Sequence, residues 1–318
     1  MTRFLLRRLA AIPLTLLVVS ALVFTATEVL PGDVARTVLG READAAAVTD
    51  LNRQLGLDQP VLVRYVHWLG DFVSGRWGTS YTRHSDVRTL LLDRLGDSLL
   101  LALAAFVLLV PVALGLGLLA GLYRDRLLDR VISGVTLALG AIPEFVTGVV
   151  LMVVFSVNLH WLPTSARLSP GEGPVEMLRH FTLPVVSLVL LCTGYVARHV
   201  RTGTIAVLEG PYVRAARLRG HSERRIVLRH VLRNATVPAT SALGIQLQYL
   251  LGGLVVVELL FNYPGVGDLL LRSALDKDLP TLQATAMVLG VLYLLVVLVA
   301  DVAYRLLDPR VRLGGAVA

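Results

Sequence analysis

Lysine is all but missing from this chain of 318 residues: Lys277 is the single copy, and apart from seven histidines the basic residues are arginine. A phosphate-cradling loop needs Gly-x-x-x-x-Gly-Lys-Ser/Thr, with the lysine on the phosphates. Lys277 sits in "ALDKDLP", without those glycines, so the chain cannot supply this kind of ATP site. Cysteine also occurs once, at Cys192, which excludes an internal disulfide framework and any multi-cysteine metal site. Charge is scarce, at 17% of residues, where a soluble domain carries about 25%. Apolar side chains take its place: 55% of residues are hydrophobic and the mean hydropathy is +0.70. The expected solvent is lipid.

Hydrolytic chemistry finds little support. No His-Glu-x-x-His occurs; His199, His221 and His230 belong to a basic loop, and His67 and His84 to the segment 31–97. An intramembrane protease wants paired aspartates or a serine–histidine set within its spans. Asp301 is the one clearly intramembrane aspartate, and no second aspartate accompanies it. No metal and no cofactor of its own are expected. The net charge of +7 could suit nucleic acid, but its location argues against that partner.

A spanning helix needs roughly 20 mainly apolar residues. Six stretches answer that description, near 9–29, 98–122, 131–159, 181–197, 236–261 and 282–306. The fourth is short and begins near Pro184, and the fifth carries Gln246 and Gln248. Arginine resists translocation, so loop charge sets orientation. With the amino terminus inside, the inner side holds Arg3, Arg7, Arg8, Arg124, Arg126, Arg130, the 198–233 group, Arg305, Arg310 and Arg312. Outer loops then carry only Arg167, Arg179, Arg272 and Lys277, apart from 31–97 with its eight arginines. That segment is long, and long segments translocate largely regardless of charge. Both termini are therefore expected in the cytoplasm. The amino terminus resembles a signal peptide, but its apolar run is too long and no small-x-small cleavage site follows, so it reads as a retained first span.

The organisation expected is a tail and first span over 1–30, an external segment over 31–97, a core over 98–308, and a tail over 309–318. The external segment is too small to bury a large core alone. Its pieces "READAAAVTDLNRQLG", "QPVLVRYVHWLGDFV" and "SDVRTLLLDRLGDSLL" look helical, with Gly56 a helix stop and Pro60 a start. It is either a helical cap lying on the outer membrane face or a docking surface for an external partner.

The longest inner loop, "YVRAARLRGHSERRIVLRHVLRNATVP" and what precedes it, has internal order. Glu209-Gly210-Pro211 is a helix entry, since proline is favoured at the first helical position. A short helix over 211–219 follows, with Tyr212, Arg214 and Arg217 on it and Ala215 and Ala216 giving a small-residue surface. Gly220 suits the left-handed stop. Ser222 can cap a second helix with Glu223 near its positive end. Arg225, Arg229 and Arg233 recur every four residues as one stripe, and Pro238 then opens the fifth span. A topogenic basic loop touching anionic lipid needs less order than this. The helix–glycine–helix layout suggests a surface shaped for a cytoplasmic partner.

These residues carry a resemblance. "YVRAARLRG…LRHVLRNATVP" is similar to the coupling loop of bacterial ABC importer permeases of the oligopeptide/dipeptide/nickel branch. Ala215, Ala216 and Gly220 match the general Glu-Ala-Ala-x-x-x-Gly motif, while Arg214 replaces its glutamate. Pro238 comes later than in sugar permeases. "LPGDV" at Leu30, "LGLDQPVLVRYVHWLGDF" at Leu55, "AIPEF" at Ala141, "VVVELLFNYPGVGDLLL" at Val255 and "DVAYRLLDPRVR" at Asp301 match the same branch. The chain resembles the first, B-type, permease subunit, with the longer external segment after span one. The resemblance implies an all-α integral membrane protein of six transmembrane helices in the type I ABC importer permease fold. It implies a bacterial cell membrane location and a non-catalytic subunit. The implied partners are a second permease subunit, two cytoplasmic ATPase subunits that bind ATP and magnesium, and an external substrate-binding protein. The implied substrates are short peptides, with nickel chelates or other small solutes of the branch as alternatives. Pro211, Tyr212, Arg214, Ala215, Ala216, Arg217, Gly220 and Ser222 would carry the coupling.

Polar groups inside spans are costly and are functional candidates. Glu144 follows Pro143 inside span three, where the proline frees a carbonyl and bends the helix. Glu258 lies near the outer end of span five and Gln246 and Gln248 near its middle. These five are candidates for a translocation pathway; interhelical hydrogen bonding is the competing role. Gly117 and Gly121 form Gly-x-x-x-Gly, a helix-packing signal. A secondary transporter or channel without ATPases is the alternative class, which inverted repeats or paired broken helices would favour. Neither is evident in the sequence.

Overall fold

The computed structural model describes residues 2–29, 39, 43–54, 56, 58–169 and 171–307. The "LPGDV" motif, the tail 309–318 and the side chains of Arg233 and Pro238 lie outside the described residues. Among those described, the structure is helical, and its one β pairing is an isolated bridge between Thr79 and Asp86. Among the described residues, five helices are long and apolar enough to cross a membrane, and six if one bent pair is counted as a span. The chain divides into two compact units, one of Met1–Ser98 with Pro264–Leu295 and one of Leu99–Tyr263 with Val296–Ala318.

In the first unit, α1 (Thr2–Val29) and α2 (Ala45–Gln54) are followed by a turn at Gly56, whose φ of 67° is left-handed. Pro60, extended as its ring prefers, leads into α3 (Val61–Val73). Gly75 and Gly78, both at positive φ, reverse the chain after it. Asp86 then accepts a bond from the Thr89 backbone N–H at 2.8 Å and so starts α4 (Val87–Leu122). The third helical piece expected in the external segment is therefore not a separate helix. Residues 87–97 belong to the same helix as the second span, because nothing between Val87 and Leu122 except Pro111 interrupts helical geometry. α11 (Val266–Leu275) and the start of α12 (Leu279–Leu307) complete the unit around Val87, Leu91, Leu269 and Ala284. Buried Asp278 ties the 79–82 loop to α12, accepting from Ser80 Oγ at 2.5 Å, Tyr81 N at 3.0 Å and Thr281 Oγ1 at 2.7 Å.

In the second unit, α5 (Leu127–Ala141) and α6 (Glu144–Leu151) replace the single bent third span that the sequence suggests. They meet at 107°. Ile142 precedes a proline and is driven to extended backbone, φ −89° and ψ 129°, so the helix breaks there rather than bends. α6 runs on as a π-helical stretch, Met152–Asn158. α7 (Pro174–Leu208) is far longer than the short fourth span expected at 181–197, and Pro184 lies inside it rather than at its start. α8 (Pro211–Leu218), α9 (Glu223–Ile226) and α10 (Leu232–Leu260) follow. A π-helical stretch, Val227–Val231, joins α9 to α10 without a break. The fifth span is therefore entered from Glu223, and position 238 falls within α10 rather than opening it. α7 packs along α5 and α10 around a core that includes Leu109, Leu188, Val196, Leu250 and Phe261.

Candidate functional site

The basic loop is shaped by local rules. Glu209 closes α7, Gly210 is extended, and Pro211 takes the first helical position of α8. Gly220, at φ 76°, ends that helix; its N–H donates to the Arg217 carbonyl at 2.9 Å, and the His221 N–H donates to the Ala216 carbonyl at 3.2 Å. Arg217 folds back over the turn onto Glu223, with Nε to Oε1 at 2.7 Å and Nη2 to Oε2 at 3.1 Å. These bonds hold the Glu223 carboxyl below its usual range and raise the Arg217 guanidinium. Ser222 has the extended backbone of a helix cap, but its side chain makes no capping bond.

The two faces of α8 differ from the sequence reading. Val213 and Ala216 point inward, onto Ile226, Val231 and Ala235 and the partly buried Leu118, Val207 and Leu208. Ala216 is only 7% exposed, so it is a packing residue of this chain and offers no surface to a partner. Ala215 is half-buried. The open face carries Tyr212, Arg214, Arg217 and Leu218. Leu218 was not among the sequence candidates, yet it is 85% exposed at the end of a short helix among arginines.

Behind α8 lies a second feature absent from the candidates. Asp129, at the start of α5 and 3% exposed, receives both arms of Arg201 from α7. The Asp125 N–H at 2.9 Å and Ser133 Oγ at 3.1 Å complete its shell. Arg124, in the turn before α5, pairs with Glu209 at the very entry to α8. Gly117 and Gly121 sit against this same region: a Cβ on Gly117 would come within 2.5 Å of Val200 Cβ, and one on Gly121 within 2.5 Å of Thr204 Cβ. Gly194 faces the Thr136 carbonyl as tightly. The ends of α4 and α5 are thereby packed onto the end of α7, which leads into α8.

The pathway candidates are not brought together on one surface. Glu144 is half-exposed in the first turn of α6, directly after Pro143 at the break. Gln246 is buried and Gln248 half-buried on α10. Glu258 is fully buried, so it lines no open path in this conformation. No group of three or more His, Cys, Asp or Glu that could hold a metal occurs among the described residues.

Comparison with known proteins gives these features a class. Residues 113–313 match the family described as binding-protein-dependent transport system inner membrane component. Residues 1–102 match the N-terminal region of the same systems' membrane components. The chain is 38% identical over 314 residues to the glutathione transport system permease protein GsiC of Salmonella choleraesuis strain SC-B67, covering 98% of this chain and 99% of that one. It is 36% identical over 312 residues to GsiC of Escherichia coli K12, covering 98% and 99%. An amino acid ABC transporter crystallised with histidines has the same fold at a TM-score of 0.52 and 18% identity, over 70% of this chain and 94% of that one. The chain belongs to the inner-membrane components of binding-protein-dependent transport systems: it is a multi-pass permease subunit of an ABC importer.

Proposed function

We propose that this subunit forms half of a translocation pathway for short peptides, glutathione among them, and that α8 is its coupling helix. In this reading a second permease subunit supplies the other half, two cytoplasmic ATPases bind ATP and magnesium, and an external binding protein delivers the solute. Both termini and the basic loop lie in the cytoplasm; segment 31–97 lies outside. The observation that carries the proposal is the open face of α8, with Tyr212, Arg214, Arg217 and Leu218 exposed on a helix rooted in three spans. The full-length likeness to a glutathione permease supports the substrate class. ATP binding draws the ATPases together, α8 follows, and the clamp behind it passes the motion to α5 and α7.

Orientation and partners are tested together. Single cysteines at Ser85 and Ser222, in a Cys192→Ser background, are exposed to an impermeant maleimide on intact cells. Position 85 should label and 222 should not, and the native assembly should carry ATPase chains through purification. Labelling at 222 alone, or a subunit that transports peptide without any ATPase, would overturn the proposal.

A further inference from the structure

α3 has an unusual division of its surface. One face carries Tyr65, Trp68 and Phe72 and turns toward α1 and the following loop: Tyr65 Oη meets Ser20 Oγ at 2.8 Å, Phe24 lies 5.4 Å from the Tyr65 ring and 5.6 Å from that of Trp68, and Phe72 stacks on Trp77 at 5.6 Å. A second flank is polar, with His67, Asp71 and Arg64, the last paired with Glu28 at 2.7 Å. The third is wholly aliphatic. Leu62, Val66, Leu69 and Val73 recur at the spacing of one helical stripe. Leu62 is 78% and Val73 79% exposed.

Depth says what covers that stripe. The apolar window of α1 is Ala10–Val29, 20 residues, which at about 1.5 Å each matches the ~30 Å hydrocarbon layer. Val29 thus stands at one boundary and Ser20 near the middle of the layer. Because Tyr65 reaches Ser20 and Trp68 reaches Phe24, α3 lies beside the last turns of the span, below the level of its end. The free sides of α1 there, Leu17, Val18 and Leu22, are exposed and apolar as well. We propose that α3 is an interfacial helix whose Leu62–Val66–Leu69–Val73 stripe is immersed in the acyl chains of the leaflet at the Val29 end of α1, with His67 and Asp71 facing water. The aromatic rings on the intervening face hold the helix against α1, and the separation of faces is that of a helix lying in the plane of a membrane. A partner that docks and leaves would bare the stripe to water on every departure, which a permanent lipid contact avoids.

The test uses the complete importer in lipid nanodiscs, with single cysteines replacing Leu62, Val66 and Val73 and, as controls, His67 and Asp71, in a Cys192→Ala background. The stripe positions are among the most exposed on α3, and recovery of the intact assembly is checked for each variant. Each site carries an environment-sensitive fluorophore and is challenged with nitroxide-labelled phospholipid and with aqueous iodide. At 62, 66 and 73 the lipid nitroxide should quench at least several-fold more strongly than iodide; at 67 and 71 the order should invert. Iodide quenching along the stripe would place it in water, and protection from both quenchers would mean a protein covers it; either result overturns the proposal.

Discussion

Arg201 grips Asp129 with two parallel bonds, Nε to Oδ1 at 2.6 Å and Nη2 to Oδ2 at 2.7 Å, and so fastens α7 to the start of α5 across 72 residues of sequence. The partners are unequally buried: the aspartate side chain is almost closed off, whereas the arginine is partly open. Removing one member of a buried pair typically costs ~3–5 kcal/mol, because the other charge is left unpaired. The cost should therefore be asymmetric. Arg201→Met strands a buried carboxylate and should lower the melting temperature of the purified subunit clearly more than Asp129→Asn, which leaves an arginine that can turn to water. The double variant should recover part of the loss of Arg201→Met. Equal losses from both single changes would show that burial of Asp129 does not govern the pair.

Three glycines of α4 make an internal series. Gly117→Ala and Gly121→Ala drive a methyl into α7, where overpacking costs roughly 1–3 kcal/mol. Gly115→Ala meets nothing within 4 Å and should be neutral. Thermal stability of the three variants checks this; a loss at Gly115 equal to the other two would mean that glycine content, not the α4–α7 contact, matters.

Much of this was legible in the sequence, for reasons that are local. Apolar runs mark the spans because lipid demands them, and Pro211 and Gly220 bound α8 because their own backbone preferences do. The Asp129–Arg201 clamp gave no signal, since two charged residues so far apart carry no local pattern that pairs them. The facing of Ala216 was equally hidden: on a two-turn helix small and apolar residues occur on both sides, and only the positions of Ile226 and Val231 decide which side is covered. Pro143 announced a disturbance, but whether a proline bends or breaks a helix depends on the helices around it.

Glu144 is partly exposed in the first turn of α6, at the break between α5 and α6. Glu144→Gln keeps the shape and removes the charge. Peptide uptake should fall while assembly with the partner subunits stays at the level of the unsubstituted chain. Full uptake of every peptide tested would assign the carboxylate to structure.

The Arg217–Glu223 pair across the turn after α8 should be indifferent to pH near neutrality. Glu223 is held below the ordinary carboxylate range chiefly by its bonds from Arg217. A depressed carboxylate contributes stability that is present above its unfolded pKa of about 4.3 and lost as pH falls through the lower folded value. Both side chains are about half exposed or more, so the contribution is small. Hydrogen exchange at Gly220 and His221, corrected for intrinsic rates, should show flat protection from neutral pH down to about 5 and loosening only below the carboxylate range. A transition centred between about 6 and 7 would assign the turn to another group.

The most direct test of α8 as the coupling element compares two of its residues by binding-protein-stimulated ATP hydrolysis in the reconstituted importer supplied with glutathione. Ala216→Trp should overfill the chain's own packing against Ile226 and Val231, so it should lower the subunit's melting temperature. Leu218→Glu changes only an exposed contact: stability and membrane insertion should persist, while ATPase retention on purification and the stimulated rate should fall about 10-fold or more, the equivalent of ~1.4 kcal/mol or more at the contact. Full ATPase retention and full stimulation with Leu218→Glu would contradict the coupling role of α8 and leave the segment a basic loop on the membrane.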